Sequence, residues 1–519
     1  MTIASCQDLH SDADQKSPIK LTSKQKVEDI HFLYDFIRKS YPFAEAVEKE
    51  KGLPSIYDYE DDYSRKAGNT ISNKEFILLV AEIIQRMEQG TGHSDIMEGR
   101  DLPPDFDTTK ACLYSNITKT SIALSKYWWN LLNLRSKYTN SDLDVHYTNG
   151  DYVIAGDCII DGKSIQKGTR IVQIDGQRSD DYVKSLQNKL WLRFDPQLKK
   201  TYSFHPSPFT VYGNESEEKW DVGFQDSTGH SFHCFVPKKQ GYRSIKVSPV
   251  AKKNILLQEL NDRIAYLRVS GFPDYATAHN DLDEMKSFFS AANGKYKKLI
   301  IDLRMNLGGS QAYGEELLVK SFLKEPTLYF QYAAVKKDVY TTVSKTLRMV
   351  DSLEKGSMRQ YDFGRIEKIE FNALPKNIRS MNEKDTLYYY FKTTKEYRPN
   401  STLRFNGEIV LLVDNDCFSA AEDIIRVFKA LKIGKIAGAN TLGGAGVVLP
   451  PLIFELPNSH ILFTLEVELA YNSDGTINEI YGTKPDVELE PSTYPTSFPV
   501  SFSREDLLRD NWISMNINN

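Results

Sequence analysis

The 519-residue chain is short of several things, and each shortage narrows its class. No apolar run approaches the ~20 residues that a membrane-crossing helix needs. Cysteine is scarce. Cys6, Cys112, Cys158, Cys234 and Cys417 stand apart without paired spacing, which excludes a disulfide framework and a zinc-ligand cluster. Lys+Arg (65) and Asp+Glu (70) nearly balance, so there is no basic footprint, and nucleic acid is not expected as the main partner. Internal repeats and low-complexity tracts are absent. What remains, 40% hydrophobic and 26% charged residues, is an ordinary globular composition at a length that implies two to four domains.

The first residues, MTIASCQ, contain Ile3-Ala-Ser-Cys6, similar to a bacterial lipobox, but no charged or apolar leader precedes it. The expectation is a lipoprotein N-terminus with a lipid anchor at Cys6 and a tether over residues 1–21. That places the chain in a bacterial cell envelope, with a cytoplasmic location as the alternative. Residues 22–140 read as a helical N-terminal domain. Thr22-Ser-Lys-Gln25 and Ser72-Asn-Lys-Glu75 are capping-box patterns, each followed by an apolar helical stripe. The second helix stops at Gly90, and the loop Thr91-Gly-His-Ser-Asp95 follows.

From His146 the pattern changes to short strands and glycine turns, giving a β domain over residues 141–245. Its run Lys167-Gly-Thr-Arg-Ile-Val-Gln-Ile-Asp-Gly176 leads into a short helix, as in the latter half of a PDZ domain. Such a module takes an extended peptide as an added strand and captures its terminal carboxylate. After a linker at 241–253, residues 250–519 alternate strands and helices. An aromatic, charged insertion at about 325–400 interrupts them and reads as a lid or interface element. Residues 461–469 are expected to form one strand.

Two strands of this α/β part end in special corners. One is IIDLRMNLGG, closing on Gly308-Gly309. The other is LLVDNDCFSAAE, in which Ser419 stands between a buried strand and an amphipathic helix. A serine there is either a helix N-cap or a nucleophile beside unpaired N–H groups. The glycine pair is either a tight turn or half of an oxyanion hole, with the N–H of Ala420 as the other half. Cys417 lacks a Cys–His signature and reads as a buried core cysteine. The histidines other than His93 carry no accompanying motif and read as surface or packing residues.

Together LIIDLRMNLGG, GEIVLLVDNDCFSAAEDI, TLGGAG and YGTKPDV resemble the C-terminal processing (tail-specific) serine peptidases, whose core is crotonase-like α/β. The resemblance spans about 263–490. In the bacterial members the base is a lysine in Thr-x-Gly-Lys-Gly, 25 residues after the serine, and the matching position here is Gly444. The tricorn-like branch uses an N-terminal histidine and a late glutamate. On that likeness His93 is the base acting on Ser419, and Glu479 orients it directly or through a hydroxyl such as Ser94. The implied activity is peptide-bond hydrolysis through an acyl-enzyme, with polypeptide segments or C-terminal tails as substrates and no metal or cofactor. The alternative is a catalytically silent ligand- or peptide-binding protein on the same fold.

Overall fold

In this computed structural model the described residues are 17–91, 93–94, 96, 119–132, 138–148, 150–186, 192–195, 198–203, 208–209, 211–212, 218–240, 254–273, 275–292, 294–339, 364–400, 403, 405–447, 452–489 and 503–518. Cys6, the linker at 241–253, Gly92 and Asp95 lie outside them.

Thr22 caps α1 (Ser23–Ser40) as its sequence requires. Its side chain accepts from Gln25 N–H, and Gln25 returns a hydrogen bond to Thr22 N–H. Four further helices follow: α2 (Ala44–Lys51), α3 (Glu60–Asn69), α4 (Asn73–Thr91) and α5 (Lys119–Leu132). Ser72 accepts from Glu75 N–H, but the Glu75 carboxylate reaches Ile71 N–H, one residue earlier than a capping box. α4 runs past Gly90 to Thr91, and this extra length brings the chain to His93.

The β module is built from β1 (Val145–Thr148), β2 (Asp151–Ile154), β3 (Arg170–Ile174), α6 (Ser179–Ser185), the hairpin β4 (Leu192–Asp195) and β5 (Lys200–Ser203), then β6 (Lys219–Gln225) and β7 (Ser231–Pro237). Its sheet has the order β7-β6-β3-β2-β1, all antiparallel. Inward residues such as Tyr152, Ile174, Trp220 and Val222 form a core of its own.

The α/β part opens with β8 (Ile255–Asn261), β9 (Ile264–Val269), α7 (Tyr275–Ala291) and β10 (Lys298–Asp302). Next come β11 (Thr327–Lys336), β12 (Arg365–Ile369) and β13 (Tyr388–Tyr397), then β14 (Glu408–Val413), α8 (Ala420–Leu431) and β15 (Lys435–Gly438). β16 (Leu452–Glu455), β17 (Leu462–Leu465), β18 (Glu468–Tyr471), α9 (Asn478–Tyr481) and β19 (Val487–Glu488) follow, and helices at Arg504–Arg509 and Asn511–Asn518 close the described chain. The main sheet runs β8-β9-β10-β14-β15-β19, parallel from β9 onward. β9, β10 and β14 are almost continuously buried, as parallel strands covered on both faces must be.

Two expectations are corrected. Residues 325–400 contribute three strands to an antiparallel sheet β12-β13-β11-β18, so their described part is a wall of the molecule and not a lid. The apolar run at 461–469 is not one strand either. β17 pairs with β16 and β18 with β11, and the chain changes sheets at Glu466 and Val467. The N-terminal helices share one apolar cluster with β11, β16, β17 and β18, which fixes the end of α4 against them. No described helix is long and apolar enough to cross a membrane.

Candidate active site

β14 ends at Val413, and residues 414–417 turn the chain into α8. Asp414 Oδ1 accepts from Met305 N–H at 2.9 Å and Asp416 N–H at 3.0 Å, tying this corner to the one after β10. Burial, and then the neighbouring Asp416, push Asp414 up to about 6. Cys417 is fully buried, its thiol donating to Leu303 O, and burial pushes that thiol well up, so it behaves as a core cysteine.

Ser419 stands at the N-cap position of α8, and its carbonyl accepts from Asp423 N–H, but it does not act as a side-chain cap. Its side chain caps nothing, and its backbone has φ 58° and ψ −127°, a region that non-glycine residues rarely enter. Holding it there costs about 1–3 kcal/mol, and the surroundings over-determine it. Phe418 N–H donates to Asn306 O and Ser419 N–H to Gly443 O, both at 3.1 Å. The strained turn presents Ser419 Oγ 3.0 Å from His93 Nε2.

His93 comes from the far end of the chain, 326 residues earlier, yet its position is well defined. Its carbonyl accepts from Thr464 Oγ1, and Ile96 forms a bridge with Phe463, so the loop is laid along β17. The imidazole stacks on Phe418, with centroids 4.5 Å apart and planes at 28°. Nδ1 lies 3.0 Å from Glu466 Oε2. A carboxylate only accepts, so Nδ1 carries the proton and Nε2 is free to accept from Ser419.

The expected orienting residue, Glu479, does not make that contact. The carboxylate on His93 is Glu466, at the sheet change between β17 and β18. Glu479 lies on α9, buried, with Oε2 accepting from Ala470 N–H at 3.4 Å and Oε1 without a hydrogen-bond partner among the described residues. Burial, then the charges of Glu466 and Glu468, hold Glu479 well above the usual carboxylate range. Ser94 is fully buried, and the His93–Glu466 contact is direct, with no hydroxyl between.

The glycine corner abuts the serine. A Cβ on Gly308 would come within 2.7 Å of Ala420 N and 3.0 Å of Ser419 Cβ, and one on Gly309 within 2.0 Å of Phe272 O. Both residues have positive φ, 91° and 123°, so glycine is needed twice over. The Gly308 N–H, however, donates to Asn306 Oδ1 at 2.9 Å and is not available to a ligand. Gly309 is bracketed by Phe272 N–H to Gly308 O and Ser310 N–H to Phe272 O, a pattern that leaves its own N–H outside that ladder. The Ala420 N–H opens α8 with no backbone partner among the described residues. Of the three expected donors, Gly309 and Ala420 remain.

Glu466, Phe418 and Asn306 were missed. Asn306 is fully buried and holds both Gly308 N–H and Val269 O. The β module also reaches this corner. Buried Arg193, on β4, donates to Asn415 O and to Asp416 Oδ1 (2.6 Å), and Tyr202 OH accepts from Asn415 Nδ2.

Residues 263–489 match peptidase family S41. No curated protein sequence matches the chain. Among solved structures, mature CPAF shares the fold at a TM-score of 0.54 and 13% identity, covering 91% of this chain and 93% of that one. Mature CPAF complexed with lactacystin matches at 0.53 and 13%, covering 96% and 98%.

Proposed function

We propose that the S41 segment makes this chain a serine peptidase working through Ser419, His93 and Glu466. The observation that carries the reading is the pair of contacts on the two ring nitrogens of His93, Ser419 Oγ to Nε2 and Glu466 Oε2 to Nδ1, each 3.0 Å. His93 Nε2 takes the proton as Ser419 Oγ attacks the scissile carbonyl, and returns it to the leaving amine. Water then repeats the cycle on the acyl-enzyme. Glu466 holds the tautomer and stabilises the imidazolium. The N–H groups of Gly309 and Ala420 meet the developing oxyanion, each donor worth ~2.7–4 kcal/mol.

The finer placement, with a histidine and not a lysine as base, is supported by Gly444. A Cβ there would come within 2.2 Å of Phe418 Cε2, so the ring that stacks on His93 occupies the room a lysine stem would need. Polypeptide tails are the substrates this reading favours, on the PDZ-like order of β3, the Asp175-Gly176 turn and α6. An envelope location rests on Ile3-Ala-Ser-Cys6 alone, and mass spectrometry of that residue for a diacylglyceryl group tests it.

Activity-based labelling decides the main point. A fluorophosphonate should label the folded protein, lose all signal in Ser419→Ala and nearly all in His93→Ala. Lactacystin, present in one of the similar solved structures, is a second probe and should compete with the label. Absence of labelling in correctly folded protein rejects the peptidase and leaves the silent binding protein.

A further inference from the structure

Ser419 holds a strained backbone, so the segment that its N–H leans on must itself be fixed. That segment is residues 441–447, which lie outside the helices and strands. Leu442 N–H donates to Cys417 O at 2.9 Å, Ser419 N–H donates to Gly443 O at 3.1 Å, and Gly443 forms a bridge with Phe418. Side chains hold the segment from its other side. Thr441 Oγ1 accepts from Thr483 N–H at 2.6 Å. Ala445 N–H donates to Asn478 Oδ1 at 3.0 Å, and Val447 N–H to Glu468 Oε1 at 2.5 Å.

Asn478 is the centre of that support. It opens α9 and is fully buried. A Cβ on Gly443 would come within 2.3 Å of the Asn478 carbonyl oxygen, so the segment rests directly on this residue. The side-chain amide is engaged at both ends. Oδ1 takes Ala445 N–H, and Nδ2 donates to Glu422 Oε1 at 2.6 Å and to Asn472 Oδ1 at 2.9 Å. A flipped amide would set N–H against N–H and oxygen against oxygen, so its orientation is forced. Glu422 is fully buried on α8, three residues after Ser419, and also accepts from Thr483 Oγ1.

We propose that Asn478 is a positioning residue for Ser419, acting with Glu422 to close a hydrogen-bonded circuit around it. The circuit runs from Ser419 N–H to Gly443 O and along the segment to Ala445 N–H. It then passes through the Asn478 amide to Glu422 and returns along α8 to Ser419. Opened at Asn478, it frees Gly443 to move, Ser419 relaxes towards an ordinary backbone region, and Oγ leaves His93 Nε2. Both side chains are buried, so their loss falls on reaction at Ser419 and not on binding of a chain. Glu422 serves here as an acceptor, a role that a glutamine oxygen can also fill. The inference rests on the reading of Ser419 as the nucleophile.

The test is saturable fluorophosphonate labelling of the full-length protein, with folding checked by circular dichroism. The maximal rate reads reaction at Ser419, and the half-saturating concentration reads binding. Asn478→Asp keeps the acceptor for Ala445 N–H and loses both donors. Its maximal rate should fall about 10²-fold, with half-saturation within about threefold of wild type. Glu422→Gln should stay within about threefold in both. Thr483→Val, a milder change of similar shape that frees Glu422 from one donor, should lower the maximal rate about 3–10-fold. It decides the matter if Asn478→Asp does not fold. The proposal is overturned by a wild-type maximal rate in folded Asn478→Asp or, where that variant does not fold, in Thr483→Val. A loss carried by half-saturation alone overturns it too, as does Glu422→Gln losing as much as Asn478→Asp. Wild-type protein that takes no label rejects the nucleophile itself, and the positioning role with it.

Discussion

The ring of Phe418 lies against the imidazole of His93, 4.5 Å between centroids, one residue before the serine whose Oγ that imidazole meets. The same ring excludes any side chain at position 444, where a Cβ would approach within 2.2 Å and where φ is 79°. Gly444→Lys should therefore abolish any turnover, because it displaces Phe418 and His93 before it supplies a base. Phe418→Leu should lower kcat about 10–10²-fold with KM little changed, the scale expected for a misplaced catalytic group. Phe418→Tyr should keep most activity. Equal losses in the Leu and Tyr variants would show that the stack does not position His93.

Glu466 and Glu479 are both buried acids of the same neighbourhood, but only the first touches His93. Glu466→Gln should cut kcat by about 10²–10⁴, since the amide no longer fixes the tautomer or balances the imidazolium. Glu479 makes no contact with His93, and burial already disfavours its charge, so Glu479→Gln should stay within about threefold of wild type. Steady-state kinetics on one peptide substrate separates the two, and a reversed ranking would return the orienting role to Glu479.

The contrast shows what was legible in the sequence. Ser419 and the glycine pair could be read because each sits at a strand end whose local pattern is unusual, and His93 because a glycine-flanked loop ends a well-marked helix. Glu466 sits within 461–469, a run that reads as a single strand. Its signal was a charge at 466 and another at 468 inside an apolar segment, and the sheet change that gives them meaning is a long-range event. Residues 325–400 hid for a similar reason: β11 gains its place by pairing with β18, which lies more than a hundred residues later. Gly308 shows the reverse limit, since a glycine beside the serine reads as a free donor although Asn306 Oδ1 takes its N–H.

Asp414 gives a pH dependence whose sign follows from its raised value. Burial pushes it up to about 6, against about 3.9 in an unfolded chain, so between those limits the native state holds the proton more tightly. Stability from this group is greatest below pH 4 and falls as pH rises through 6, by about 3 kcal/mol over two pH units. Asp414→Asn keeps a neutral acceptor for Met305 and Asp416 N–H and lacks this decline. Denaturant melts at pH 4 and 7 should show the variant gaining about that amount relative to wild type; a difference that does not move with pH rules the effect out.

Asp302 works in the opposite direction. Burial would raise it, but the charge and hydrogen bonds of Arg304, with Arg268 and Tyr266, outweigh burial and hold it at about 2. Its contribution is full above about pH 4 and is lost as pH falls through 2, because only then does the native carboxylate take up a proton. Circular dichroism between pH 4 and 2 should show a loss of stability that is smaller in Asp302→Asn, a variant already weaker at neutral pH because Arg304 is left with Asp510 as its acidic partner.

Arg193 links the β module to the corner that carries Ser419, and its removal tests whether that contact matters to the proposed chemistry. Its guanidinium is buried and meets Asn415 O and Asp416 Oδ1 four and three residues before Ser419. Arg193→Met keeps the stem's packing but leaves Asp416 without its cation, beside an Asp414 whose own value already reflects that neighbour. Truncating one side of a buried pair costs about 3–5 kcal/mol. If the corner shifts with it, fluorophosphonate labelling of Ser419 should slow by about 10-fold or more while the fold remains intact by circular dichroism. Unchanged labelling in a folded Arg193→Met protein would mean that the β module holds the corner without setting its chemistry.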